Sequence, residues 1–275
     1  SILPLFILYP LSFIAYIIIN YFVRYRYKVI KRNLVNAFPE KSKRQIRHLC
    51  NQYYWHLSQL AVEMIKMLVM SRANLHRRYH CANPELVNHY FDQGRSVILL
   101  SSHYNDWEWM ILELDSMFKH HGVGVGKANS NKVFEKLVNR ARTRYGTEVV
   151  FADTVRDTFE QYETHHIPTA YMMLSDQSPN NRNKCYITDF FHQRTGFIFG
   201  GEHFARKYDI PVLYYQVIKE RLGKYRIEVK LITEHPNEMP LHSITQRYTE
   251  LLENTIRKAP QYWLWSHRRW KFAFE

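Results

Sequence analysis

Ser96 to Glu108 reads SVILLSSHYNDWE, and its interpretation decides the fold. The turn signal Asp92-Gln93-Gly94 precedes it, and SVILL is a short apolar run containing β-branched residues, which predicts a buried strand. His103 leaves that strand, Asn105 or Asp106 is placed to cap a helix, and a helical pattern follows from Trp107 to Phe118. Runs of the same apolar kind recur at Thr147 to Phe151, Pro168 to Leu174, Pro211 to Ile218 and Arg226 to Ile232. Helical patterns separate several of them, at Lys132 to Tyr145, Thr154 to Thr164, Gly201 to Tyr208 and Ile244 to Lys258. Strands alternating with helices predict an α/β fold with a mostly parallel central sheet flanked by helices, in which reactive groups collect beyond the carboxyl ends of strands.

The first such end carries His103 and, five residues on, Glu108. A tight turn would fold Glu108 back toward the imidazole. A carboxylate on one ring nitrogen fixes the tautomer and raises basicity while the other nitrogen takes a proton, so the two residues read as a general-base dyad. G-x-S-x-G is absent, so the hydroxyl to be activated belongs to a substrate. H-E-x-x-H is absent too, and the adjacent pairs His120-His121 and His165-His166 are poorly spaced to share an ion, so no metal site is expected.

The remainder of the 275 residues bounds the partner. With 46% hydrophobic and 15% aromatic residues the chain is not disordered, and only 9 Gly argue against a glycine-rich phosphate loop. Three scattered cysteines, Cys50, Cys81 and Cys185, indicate neither a disulfide framework nor a zinc knuckle. Against 25 acidic residues stand 38 Lys and Arg, a formal charge of +13 that asks for an acidic partner. Nucleic acid is a poor candidate, because no recognised nucleic-acid motif accompanies the basic residues.

Ile2 to Val23 (ILPLFILYPLSFIAYIIINYFV) contains no charged side chain and is long enough for a bilayer, although Pro4 and Pro10 interrupt it. Arg24, Arg26, Lys28, Lys31 and Arg32 follow at once. Residues 1–24 therefore read as a transmembrane or membrane-inserted anchor, with residues 25–275 as a single domain on the cytoplasmic side. A basic amphipathic helix is expected to Ala37, and after Pro39 a long helix that Ser42 can cap.

Two further positions bear on a site. Between Lys132 and Gly146, Val133, Phe134, Leu137, Val138 and Ala141 are expected inward, while Lys136, Arg140 and Arg144 form a stripe suited to phosphate on another face. Asp176 follows the strand ending at Leu174 and should face the His103 site from the neighbouring strand end.

Lys31 to Glu40 (KRNLVNAFPE), Ser101 to Trp109 (SSHYNDWEW), Tyr145 to Arg156 (YGTEVVFADTVR), Ser175 to Ser178 (SDQS), Asp189 to Thr195 (DFFHQRT) and Gln261 to Lys271 (QYWLWSHRRWK) together resemble the bacterial lipid A biosynthesis (late) acyltransferases of the lysophospholipid acyltransferase superfamily. The resemblance runs from about residue 25 to the C-terminus. It implies an inner-membrane acyltransferase that moves a fatty acyl chain from an acyl carrier protein thioester to a hydroxyl of a lipid A precursor, an anionic phosphorylated glycolipid, without metal or organic cofactor. It also implies catalytic roles for His103 and Glu108 and an arginine near Arg140, with Lys127, Arg140, Arg144 and Asp176 expected to bind substrate. A glycerolipid or aminolipid acceptor, or an inactive membrane-surface scaffold, are the alternatives. Such proteins often carry Gly after the His-Tyr pair, where this chain has Asn105. Among the C-terminal residues, Trp263 and Trp265 are expected to pack in the core and Arg268 and Arg269 to contact lipid.

Overall fold

The computed structural model describes residues 4–127 and 131–274, the Phe6 side chain excepted. Residues 1–3 of the expected anchor, and residues 128–130 and 275 of the expected domain, lie outside them. Helix α1 (Leu5–Ile17) runs into a π-helical turn (Ile18–Phe22) and is followed by α2 (Tyr27–Ala37), α3 (Lys43–Met67) and α4 (Arg72–His76). An alternating segment comes next: β1 (Tyr79–Cys81), α5 (Glu85–Asp92), β2 (Val97–Ser101), α6 (Trp107–Met117), β3 (His121–Gly126), α7 (Lys132–Arg142), β4 (Glu148–Phe151), α8 (Val155–Thr164) and β5 (Thr169–Leu174). A small hairpin of β6 (Tyr186–Phe190) and β7 (Gln193–Phe197) precedes α9 (Gly200–Tyr208), the long strands β8 (Val212–Arg221) and β9 (Lys224–Thr233), and α10 (Ser243–Lys258).

The main sheet has the order β1-β9-β8-β2-β5-β3-β4. All its neighbours are parallel except β8 and β9, which form an antiparallel pair. Every residue of β2 is buried, as expected of a central strand covered on both faces. Strand alternation divides the core into two layers. Ile98, Leu100, Tyr171, Val212 and Tyr214 pack with residues of α2, α8, α9 and α10 and with Trp263 and Trp265. Val97, Leu99, Ala170, Met172, Leu213 and Tyr215 pack with α1, α5, α6 and α7. The indoles of Trp263 and Trp265 are thus core residues.

The long helix begins where the sequence places it. Gln45 N–H donates to Ser42 Oγ at 3.3 Å while Ser42 N–H donates to Gln45 Oε1 at 2.8 Å, a reciprocal cap. Strand β3, by contrast, escapes an apolar-run reading because its sequence is HGVGVG. The glycine has a packing reason: a Cβ on Gly122 would lie 2.8 Å from the Asp115 backbone nitrogen, so a side chain there would push α6 away.

The expected span is not confirmed, and one face of α7 needs correction. No single helix among the described residues is long and apolar enough to cross a membrane; Ile7–Phe22 and Tyr27–Ala37 meet at 86°. The bend falls where Arg24 and Arg26 take left-handed backbone conformations, with φ of 51° each. One side of α1 is also committed to the domain. Tyr9 donates to Glu63 of α3 at 2.6 Å, and Phe13 and Tyr16 pack edge-on against Trp55. The correction concerns α7, where only Val138 and Ala141 are buried and Val133, Phe134 and Leu137 are exposed.

Candidate active site

Ser101 and Leu174 are paired in the parallel register of β2 and β5, so the residues two beyond each, His103 and Asp176, emerge side by side. Asp176 Oδ1 lies 2.8 Å from His103 Nδ1, and Oδ2 accepts from the His103 backbone N–H at 3.1 Å and from Trp263 Nε1 at 2.8 Å. Burial alone would push the Asp176 carboxyl up. The charge of His103 and the hydrogen bonds from His103 and Trp263 outweigh it, leaving Asp176 below the usual carboxylate range. An ionised Asp176 makes Nδ1 the protonated nitrogen and leaves Nε2 with its lone pair. Gln177 sits there, its Nε2 at 3.1 Å from His103 Nε2, donating to it.

The turn that presents His103 is held from several sides. Leu264 N–H donates to His103 O at 3.1 Å, and Tyr248 donates its hydroxyl to Ser101 O at 2.7 Å. Asn105 adopts φ 57°, a left-handed conformation that favours Gly or Asn, and its side chain donates to Val217 O at 2.8 Å. This is why Asn serves at the position where the resemblance leads one to expect Gly. Asp106 then caps α6, its Oδ1 accepting from the N–H groups of Glu108 at 3.1 Å and Trp109 at 3.0 Å. Burial, with Glu63 nearby, pushes the Asp106 carboxyl upward.

Glu108 does not reach the imidazole. With Asp106 as the cap, Glu108 is the second residue of the helix and turns toward α7. There Arg142 grips it with both edges of its guanidinium, Nε to Oε2 at 2.8 Å and Nη2 to Oε1 at 2.7 Å. Oε1 also accepts from Trp107 Nε1 at 3.1 Å, and the Trp107 ring packs edge-on against His103 with centroids 5.3 Å apart. The expected His103–Glu108 pairing is therefore corrected. The carboxylate on the imidazole is Asp176, and Glu108 touches His103 only through Trp107.

Lys127 follows β3, and its Nζ lies 3.4 Å from Asn180 Oδ1 on the loop after β5. Arg140 is exposed on α7. Arg144, expected to bind substrate, is instead spent on the domain: it donates to the carbonyls of Met67, Leu68 and Met70 at the end of α3. Arg269, expected at lipid, is 3% exposed; it donates to Gly196 O at 2.8 Å and lies 4.2 Å from the Phe197 ring centre. Arg268 is exposed. His267 accepts at Nε2 from the Ser178 N–H at 3.1 Å, and burial pulls it down to about 4.

Sequence reasoning missed Gln177 and Arg142. Arg142 lies off the basic stripe, on the side of α7 that turns toward α6, and a cation on an inward face is a signal that a buried carboxylate awaits it. Two surface cavities, of about 410 Å³ beside Tyr214, Lys230 and Asn254 and about 240 Å³ beside Arg95, His166 and Tyr208, have no lining residue from this site. Among the described residues no cluster of three or more His, Cys, Asp or Glu side chains suited to a metal ion forms.

A histidine oriented by a buried carboxylate, with no serine or cysteine among the described residues bonded to its free nitrogen, is equipped to take a proton from an incoming hydroxyl. No curated protein sequence matches the chain. A family profile, described as bacterial lipid A biosynthesis acyltransferase, matches residues 1–272. The chain belongs to that family of acyltransferases.

Proposed function

We propose that the protein transfers a fatty acyl chain from an acyl carrier protein thioester to a hydroxyl of a lipid A precursor, with donor and acceptor bound together. His103 is the general base. Its Nε2 takes the proton as the acceptor oxygen bonds to the thioester carbonyl carbon; the carbon–sulfur bond then breaks, and the imidazolium returns the proton to the departing thiolate. Asp176 holds the ring and its tautomer and balances the imidazolium charge. The Gln177 amide, displaced from Nε2 by the acceptor hydroxyl, is a donor within reach of the carbonyl oxygen as it becomes an oxyanion.

Glu108 acts on this chemistry by position. Pinned by Arg142, it fixes the Trp107 indole, which in turn walls one side of the imidazole. Lys127 and Arg140 are the cations we assign to the acceptor's phosphates, the guanidinium fork being the better match. The open apolar side of α1, with Ile7, Leu11 and Ile14 exposed and Ile18 continuing it just past the helix, is the surface we assign to the membrane, with the domain on the cytoplasmic side of a bacterial inner membrane.

The observation that carries this reading is the His103–Asp176 pair at the strand ends of a chain belonging to an acyltransferase family. The experiment is mass spectrometry of products from a labelled acyl carrier protein thioester and a mixture of phosphorylated glycolipid, glycerolipid and aminolipid acceptors. A mass increase of one acyl chain in ester linkage on the glycolipid supports it. Label appearing only on a glycerolipid or an aminolipid overturns the acceptor assignment.

A further inference from the structure

Helix α7 carries an outward face that the domain leaves uncovered. Val133 is 82% exposed, Phe134 42% and Leu137 50%, although all belong to the helix that delivers Arg142 to Glu108. At about 100° per residue, Val133 and Leu137 lie together between the buried row of Val138 and Ala141 and the row Lys132, Lys136, Arg140. The helix therefore shows three strips around its circumference: one packed on the protein, one apolar and open, one basic. Glu135 is the only acidic residue of α7, and Lys132 bonds to it at 3.3 Å while remaining largely exposed.

The surroundings extend this face. Leu5 and Leu8 of α1 share a core layer with Val138 and Ala141, so α1 and α7 cover the same side of the sheet. Arg144, two residues past the end of α7, bonds to the end of α3, and Ile65 and Val69 are about half exposed there. Exposed apolar side chains thus occur on α7, at the end of α3 and on the open side of α1.

We propose that the Val133 and Leu137 face of α7 docks on an anionic lipid surface, with Lys132 and Lys136 meeting the headgroups. This deepens the membrane assignment above and rests on it. An apolar strip bordered by cations is the pattern by which a helix lies in a bilayer interface, where apolar burial and attraction to anionic headgroups act together. A purely electrostatic partner would leave Val133 and Leu137 in water. Because α7 also supplies Arg142 and Arg140, docking there brings the bilayer beside the site that must receive a lipid.

The test uses the full chain with Cys81 and Cys185 replaced by Ser and a nitroxide label on Val133→Cys. A second protein carries the label on Glu160→Cys of α8, whose Phe159 packs in the opposite core layer. On vesicles of phosphatidylglycerol and phosphatidylethanolamine, the label at 133 becomes accessible to dissolved oxygen and shielded from a water-soluble nickel chelate, while the label at 160 stays aqueous. On phosphatidylcholine vesicles the effect weakens. Val133→Asp with Leu137→Asp lowers turnover on vesicle-embedded acceptor ~10-fold and leaves turnover on detergent-dispersed acceptor within about 2-fold. A label at 133 that stays aqueous on anionic vesicles overturns the proposal. So does one immobilised by acyl carrier protein alone and unaffected by vesicles, which would make the face a protein contact. Because the label reports without turnover, failure of the acyl-transfer reading leaves this result standing on its own.

Discussion

His103 and Asp176 come together because β2 and β5 run parallel and in register: Ser101 faces Leu174, and each partner sits two residues past that pair. The resulting 2.8 Å contact joins residues 73 positions apart in the chain. It predicts that Asp176→Asn, which keeps shape and removes charge, lowers kcat by ~100-fold or more with little change in acceptor KM. Steady-state kinetics on a thioester donor check this. Asp176→Ala should in addition lower stability, because the Trp263 indole N–H and the His103 N–H lose a buried acceptor, at about 1–3 kcal/mol for each group left unsatisfied.

Arg142 and Glu108 form the second pair that matters. Removing either leaves a mostly buried charge without its partner, a loss of about 3–5 kcal/mol for pairs of this kind. Arg142→Ala and Glu108→Ala should therefore each destabilise the fold more than the double variant does relative to either. Urea denaturation of the four proteins measures the coupling. Strict additivity would mean that the pair does not act as a unit.

Much of this was legible in the sequence, and the failures have physical causes. The SVILL strand, the helix from Trp107 and the Ser42 cap are local signals, set by apolar period and side-chain caps. Strand β3 hid because Gly122 and Gly124 trade apolar bulk for close approach to α6. Spacing along the chain favours Glu108 as the partner of His103. Cross-strand register brings Asp176 instead, and register is a tertiary property. The basic stripe along and just past α7 points to Arg140 and Arg144, whereas the Glu108 partner is Arg142, which faces α6. The apolar run at the N-terminus was visible; its bend at Arg24 and Arg26, and the docking of Tyr9 on Glu63, depend on the fold.

Acid should unfold the protein through its buried histidines. Burial pulls His120 and His267 down to about 4 from the ordinary 6.5, and His56, fully enclosed, lies well below its ordinary value. In each case the unfolded chain binds the proton first, so stability is complete above about pH 6.5 and is lost as pH falls toward 4. Asp176 adds to the loss only further down, as pH drops through and below the carboxylate range. Thermal melts from pH 7.5 to 4.5 should show a falling Tm, and His120→Gln should flatten the slope.

The seat of α1 is equally testable. Gly223 turns β8 into β9 at φ 64°, and a Cβ there would collide with the Tyr9 hydroxyl. Gly223→Ala should strain the turn and push Tyr9 off Glu63, raising protease cleavage around Ser12 while the core of the domain stays resistant. Tyr9→Phe should loosen α1 to a smaller degree, because it removes the hydroxyl without adding a clash.

The central claim is that His103 takes the proton of a substrate hydroxyl and that no side chain of the enzyme carries the acyl group. Turnover of His103→Ala, measured on a labelled acyl carrier protein thioester and a phosphorylated glycolipid with the protein recovered for intact mass, tests it most directly. The account predicts a loss of ~1000-fold with no acyl adduct on wild-type or variant protein. Turnover within a few fold of wild type, or a competent acyl adduct on the wild-type chain, would contradict it.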